Sequence, residues 1–234
     1  MALADWRTLT QDKLRDTAGK VTQDQLDRAI AQAVARYSRL RPLAKIATLT
    51  GDGHAVVFAL PSDYVPGFSR ALSIEYPVGK QEPQYLDDTQ DYQVDDTDRD
   101  PSTSALRVRL LTVTLPAGAH AYLAYTVPHT VSSSVDTIPV LDRGAACAYA
   151  ASLGCRELAS YYAQTSDPTI TAAAVVYRDR PAVYQAQAKD LEREFNEHLG
   201  VPSDGIYAAS VTRDQDVDLG PGIGDRFYHA RVFR

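Results

Sequence analysis

The chain has 234 residues, 44% of them apolar and 23% charged, a balance that excludes wholesale disorder and fibrous repeats. Twenty-four basic against thirty acidic side chains leave a formal charge of −6, which argues against broad electrostatic capture of nucleic acid. The most apolar long stretch, residues 144–163, contains Arg156 and Glu157, so no membrane span is expected.

The N-terminus, Met1 to Arg7, lacks a basic segment followed by an apolar run, so no secretory signal is expected and synthesis in a cytoplasm is. Leu3, Trp6, Leu9 and Leu14 mark the apolar side of a first helix that should stop near Gly19. Thr22 and Gln25 have the spacing of a capping box, and Val21 and Leu26 that of a hydrophobic staple, so a second helix begins there. Leu26, Ile30, Ala33, Tyr37 and Leu40 then share one face until Pro42 ends the run.

From residue 43 to 138 the period changes to β-branched and aromatic runs broken by Gly, Pro and Asp, the pattern of an all-β insertion. Candidate strands are 46–50, 55–60, 71–76, 106–115 and 121–127, enough for a small sandwich or barrel. The Gly51-Asp52-Gly53 and Pro116-Ala117-Gly118 turns are expected to join neighbouring strands into hairpins. Residues 87–100 carry seven Asp and one Arg, a density that predicts an exposed loop or irregular edge.

After Pro139 the helical period returns. Eight of the residues from Gly144 to Gly154 are Gly, Ala or Ser, small enough for neighbouring backbones to approach closely in a central helix. Were Cys147 and Cys155 to share that helix, their Cα atoms would lie about 12 Å apart, too far for a disulfide, so they are read as packed thiols. A last helix starts at Asp167-Pro168 or Thr171, faces Tyr184, Ala188, Leu191, Phe195 and Leu199 one way, and ends at Gly200. Pro181 removes one hydrogen bond, so a kink or break near Tyr177 is expected. Residues 201–234 have no helical period and end in the β-prone run Phe227 to Phe233, suited to pairing with a strand or docking aromatic rings, in a neighbour or in this chain's own sheet.

The fold class is therefore α+β: a helical core from 1–42 and 139–200, an inserted antiparallel β-sandwich or small barrel over 43–138, and an extended tail over 201–234.

Chemistry is sparse. Asp96, Asp98 and Asp100 match the first ligands of a calcium loop, but Pro101 stands where Gly is needed and Arg107 where Glu is needed. The five histidines, His54, His120, His129, His198 and His229, lie apart, with no zinc spacing. Gly220, Gly222 and Gly224 open no helix after a strand, and no nucleophile elbow occurs. No catalytic residue, cofactor or metal is assigned, and an enzyme is not expected. Tyr supplies fourteen of the twenty aromatic residues, a bias that suits either surfaces wetted before assembly and dried after it or the ordinary capping of sheets and helices.

Five blocks stand in order along the chain: residues 29–38 (Ala-Ile-Ala-Gln-Ala-Val-Ala-Arg-Tyr-Ser), 74–79 (Ile-Glu-Tyr-Pro-Val-Gly), 125–130 (Tyr-Thr-Val-Pro-His-Thr), 136–139 (Asp-Thr-Ile-Pro) and 158–162 (Leu-Ala-Ser-Tyr-Tyr). Together they resemble the head-to-tail adaptor (connector) proteins of tailed bacteriophages, over residues 1 to about 200. The resemblance implies a non-enzymatic virion protein made in the host cytoplasm. Such proteins form a ring, commonly of twelve copies, beneath the portal protein at the head–tail junction, join the next tail or neck protein, and surround genomic DNA that passes without specific binding. It implies that Tyr149, Tyr161, Tyr162, Tyr177 and Tyr184 are candidate subunit contacts, although they equally suit the chain's own core. It further implies that Phe227, Tyr228, His229, Arg231, Val232 and Phe233 grip the portal, and that Asp87, Asp88, Asp91, Asp95, Asp96, Asp98 and Asp100 face the channel or a tail partner. The rival readings are a head-closure or tail-tube ring component and, in a different class, a monomeric β-sandwich module binding carbohydrate or peptide.

Overall fold

The computed structural model describes residues 3–16, 18–95, 106–164 and 174–201. Among them are four helices and seven strands, and the α+β class stands.

Helix α1 (Leu3–Leu14) buries Trp6 and Leu14. Helix α2 (Gln23–Leu40) opens on the expected reciprocal cap. The Thr22 side chain accepts from the Gln25 backbone N–H, and the Gln25 side chain accepts from the Thr22 N–H at 2.8 Å. Its buried face holds Leu26, Ile30, Ala33 and Tyr37. Helix α3 (Val140–Gln164) runs through the middle of the helical body, with Ala145, Ala146, Cys147, Ala148, Ala150 and Ala151 all buried. The small residues do what their volume allows: a Cβ on Gly154 would stand 3.1 Å from two methyl carbons of Leu14, so α1 lies close upon α3 there. Helix α4 (Ala174–Leu199) is continuous through Pro181, so the expected break near Tyr177 does not occur. Proline takes only one bond out of the ladder, and the long face carrying Ala188 and Phe195 remains packed on either α3 or the core around Trp6. Gly200, at φ +70°, ends the helix.

The β unit comprises two antiparallel sheets. One has the order β1 (Leu43–Thr50), β7 (His120–Val127), β3 (Ala71–Glu75), β4 (Tyr85–Leu86); the other has β2 (Val57–Ala59), β6 (Arg107–Leu110), β5 (Tyr92–Asp95). Both contribute to one core, with Leu49, Ile74 and Leu123 from the first and Tyr92, Val108 and Leu110 from the second, as in a sandwich.

Two expectations are corrected here. Neither Gly51-Asp52-Gly53 nor Pro116-Ala117-Gly118 closes a hairpin: β1 pairs in full with β7, from Leu43 opposite Val127 to Thr50 opposite His120, while β2 pairs with β6. Each turn instead carries the chain from one sheet to the other, and the two turns lock together. Gly51 N–H donates to the Ala119 carbonyl at 2.8 Å, Gly118 N–H to the Gly51 carbonyl at 2.9 Å, and Gly53 N–H to the Leu115 carbonyl at 3.1 Å. The approach is so close that a Cβ on Gly51 would fall 2.5 Å from Leu115 Cβ and from the Pro116 carbonyl oxygen. The acidic stretch is not all exposed loop: its described part includes β5, an edge strand of its sheet. Asp95 belongs to strand β5, where its carboxylate lies 3.5 Å from the Arg107 guanidinium and is largely covered. Register with β6 places Tyr92 and Val94 opposite Leu110 and Val108, and this apolar pairing outweighs the local charge.

Candidate functional site

The strongest concentration of interacting polar groups lies where the helical body meets the segment returning from the β unit. Asp142, in the first turn of α3, is buried. Its Oδ2 accepts from Tyr37 Oη at 2.5 Å and from Arg41 Nη1 at 3.0 Å, and its Oδ1 lies 2.8 Å from His198 Nε2. Burial pushes this carboxyl up, but the bonds from Tyr37, His198 and Arg41 outweigh it and hold the group below the usual carboxylate range. Burial first, and then the Asp142 contact, push the Tyr37 phenol up to about 12.

Beside this carboxylate, His129 packs edge-on against the Tyr37 ring at 5.1 Å. Its backbone N–H donates to Ser38 Oγ at 2.9 Å, and its Nδ1 lies 3.0 Å from the Thr137 carbonyl, a partner that can only accept. Burial pulls this histidine below its ordinary value. Asp136 completes the seam: it accepts from Trp6 Nε1 at 3.0 Å, caps the Ile138 N–H at 3.0 Å and lies 2.9 Å from the Arg143 guanidinium. The cluster thus ties α1, α2, α3 and α4 to residues 129–138. Asp142 is ionised and meets three polar partners, and Tyr37 stays a phenol. The arrangement acts as a clamp between these segments.

Tyr37 was legible in the sequence only as part of an apolar face, and Asp142 only as an acidic residue near a helix start. They are 105 residues apart, and no spacing rule joins them. Arg41 and His198 were missed for the same reason.

The tyrosines singled out from the sequence divide. Tyr149 packs on Phe195 at 4.9 Å, and Tyr162 stacks on Tyr184 at 5.6 Å, so these three work within the chain. Tyr161 is half exposed, its ring edge-on to Tyr162 with Lys20 above it at 5.4 Å. Tyr177 falls within the α4 backbone, and its side chain lies outside the described residues. Burial pushes both Cys147 and Cys155 up to about 11, consistent with packed, unreactive thiols.

Of the acidic set, Asp87 and Asp91 close a turn in which Asp87 N–H donates to Asp91 Oδ2 at 2.8 Å and Thr89 N–H to Asp87 Oδ1 at 2.7 Å. Asp88 borders a cavity of about 530 Å³ between Tyr64, Arg70, Tyr92 and Gln93. Asp96, Asp98 and Asp100, and the tail residues Phe227, Tyr228, His229, Arg231, Val232 and Phe233, lie outside the described residues. Among the described residues no cluster of three or more His, Cys, Asp or Glu is placed to hold a metal, and no helix is long and apolar enough to cross a membrane.

No protein-family model matches the chain, and no curated protein does. Among solved structures, the neck of an empty gene transfer agent particle is similar at 16% identity over 76% of this chain and 88% of that one, with a TM-score of 0.27. The virion of a native gene transfer agent particle is similar at 18% identity over 79% and 89%, with a TM-score of 0.26. Likeness of this degree carries no site residue across to this chain.

Proposed function

We propose that the chain is a structural, non-enzymatic subunit of the head–tail junction of a phage-like particle. In this reading it is an adaptor that forms a ring beneath the portal and links the capsid to the next tail or neck protein around the DNA channel. The observation that supports this most directly is the convergence of the family-like blocks. Residues from 29–38, 125–130 and 136–139 meet in the hydrogen-bonded seam, through Tyr37, Ser38, His129, Asp136 and Thr137. The ionisable groups with the largest burial in that seam are spent on joining parts of the subunit to each other, as suits a building block rather than a catalyst.

The net charge of −6 favours a channel through which DNA slides without adhering, with carboxylates of the 87–100 segment toward the channel or a tail partner. Among the candidate contact tyrosines whose side chains are described, Tyr161 is the most exposed and so the best placed for a neighbouring subunit. The run from Phe227 to Phe233 supplies β-prone aromatic sequence for the portal.

The test is to mix the purified chain with portal rings and image the particles by electron microscopy. Added ring density at one end of the portal is expected, and bare portals at saturating protein overturn the reading. Removing residues 222–234 should leave a folded subunit that no longer co-purifies with portal.

A further inference from the structure

We propose that the outward faces of α2 and α4 are the two complementary halves of one ring contact, the arginine stripe of α2 in one copy meeting the carboxylate stripe of α4 in the next. This rests on the ring reading above and assigns the surfaces that close it.

On α2, opposite the buried Leu26, Ile30, Ala33 and Tyr37, stand Arg28, Gln32, Ala35 and Arg39, all exposed. At 3.6 residues per turn they fall within about 60° of one another. Among the described residues neither Arg28 nor Arg39 has an ion-pair partner, and the neighbouring Arg36 Nε is buried without a hydrogen bond. On α4, opposite Ala188 and Phe195, stand Val183, Ala186, Asp190 and Glu197, again exposed and again within about 60°. One guanidinium, Arg193, serves both carboxylates, at 3.0 Å from Asp190 and 3.7 Å from Glu197, and leaves the stripe acidic. Each stripe carries an alanine, Ala35 between the two arginines of α2 and Ala186 one turn before Asp190 on α4, so the two helices can approach closely.

The level of the two stripes also fits. Tyr37 and His198 touch the two oxygens of the same carboxylate, Asp142, so these residues of α2 and α4 lie at one height. Both helices run opposite to α3. Val21, just before α2, packs against the cluster that holds Leu158 and Cys155, and Tyr184 stacks on Tyr162 in the first half of α4, whereas the other ends meet at Asp142. Helices α2 and α4 are therefore parallel. A rotation about an axis along the bundle preserves direction and height, so it brings Arg28 within a turn of the neighbour's Asp190, Arg39 within a turn of its Glu197, and Gln32 opposite its Arg193. Symmetric pairing is disfavoured, because α2 against α2 brings arginines together and α4 against α4 brings carboxylates together. The chemistry thus selects head-to-tail contacts, the kind that closes into a ring when the rotation between neighbours divides a full turn.

The experiment compares the full chain with two double variants, Arg28→Glu with Arg39→Glu and Asp190→Arg with Glu197→Arg, each checked for helix content by circular dichroism. Solution mass is followed across concentration and salt. The unaltered chain is expected to associate, and less so as salt rises. Each variant alone should associate about 100-fold more weakly, since both of its faces then carry one sign. An equimolar mixture of the two variants should regain assembly, because each acidic face then meets a basic one. If both variants associate as well as the unaltered chain, the helix faces are wrong and the ring reading stands. If neither the unaltered chain nor the mixture associates at any concentration, the ring reading falls with them.

Discussion

The helical body and the β unit are each fastened at a tight point, and the two points are built from different materials. In the helical body the fastening is a side chain: Asp142 gathers Tyr37, Arg41 and His198 from two other helices. In the β unit it is backbone against backbone, where Gly51 meets residues 115–119. Side-chain clamps tolerate loss of a partner to the extent that water can replace it, whereas a backbone crossing tolerates no added volume.

That contrast gives an ordering of effects. Gly51→Ala should be the most damaging, by about 3 kcal/mol, because the new methyl meets Leu115 and the Pro116 carbonyl, which cannot swing aside. Urea unfolding measures it, and a loss below about 1 kcal/mol would show that the crossing can open. Asp142→Ala should cost less, about 2 kcal/mol. The buried Tyr37 hydroxyl is stranded, but Arg41 and His198 are 47% and 40% exposed and can turn to water. Thr22→Ala should cost about 1 kcal/mol through the lost cap of α2, read from the same transition. Arg156→Ala, which removes the surface pair with Glu192, should change stability by less than about 0.5 kcal/mol.

Acid should separate the two regions as well. The folded value of His129 is lowered by burial, so its contribution to stability is complete above the unfolded value of about 6.5 and is lost as pH falls toward the folded value. The carboxylates are lowered too: Asp142 in the helical body, by bonds that outweigh burial, and Asp63 in the β unit, chiefly by the Lys45 bond. Their contributions persist above the unfolded value of about 3.8 and disappear only as pH falls through the folded ones. Stability measured against pH should therefore decline in two stages, and His129→Gln should remove the first while leaving the second. A single stage below pH 4 in the unaltered chain would contradict the His129 assignment.

What could be read without coordinates follows the range of the forces involved. The cap at Thr22, the buried face of α2 and the small-residue character of α3 depend on neighbours three or four positions away, and each stands in the structure. Five strand positions were legible from β-branched and aromatic runs, but their partners were not. A Gly-rich turn tells only that the chain changes direction, and here it leads to the other sheet. Strand β5 escaped because Tyr92 and Val94 stand among carboxylates, and it is Leu110 and Val108 across the register that make them a core; β4 escaped because it is only the pair Tyr85 and Leu86, which carries no period.

By itself the sequence determined the α+β class, the capped start of α2 and the packed thiols, because hydrogen bonds of helices close locally and side-chain volume is a property of each residue. The tertiary structure alone decided that residue 43 lies opposite 127, that the two glycine turns cross, and that Tyr37, His129, Asp142 and His198 share one seam. Those contacts span from 56 to 105 positions where they join side chains to Asp142, and no local preference selects a partner at such separation; only burial of the whole core does.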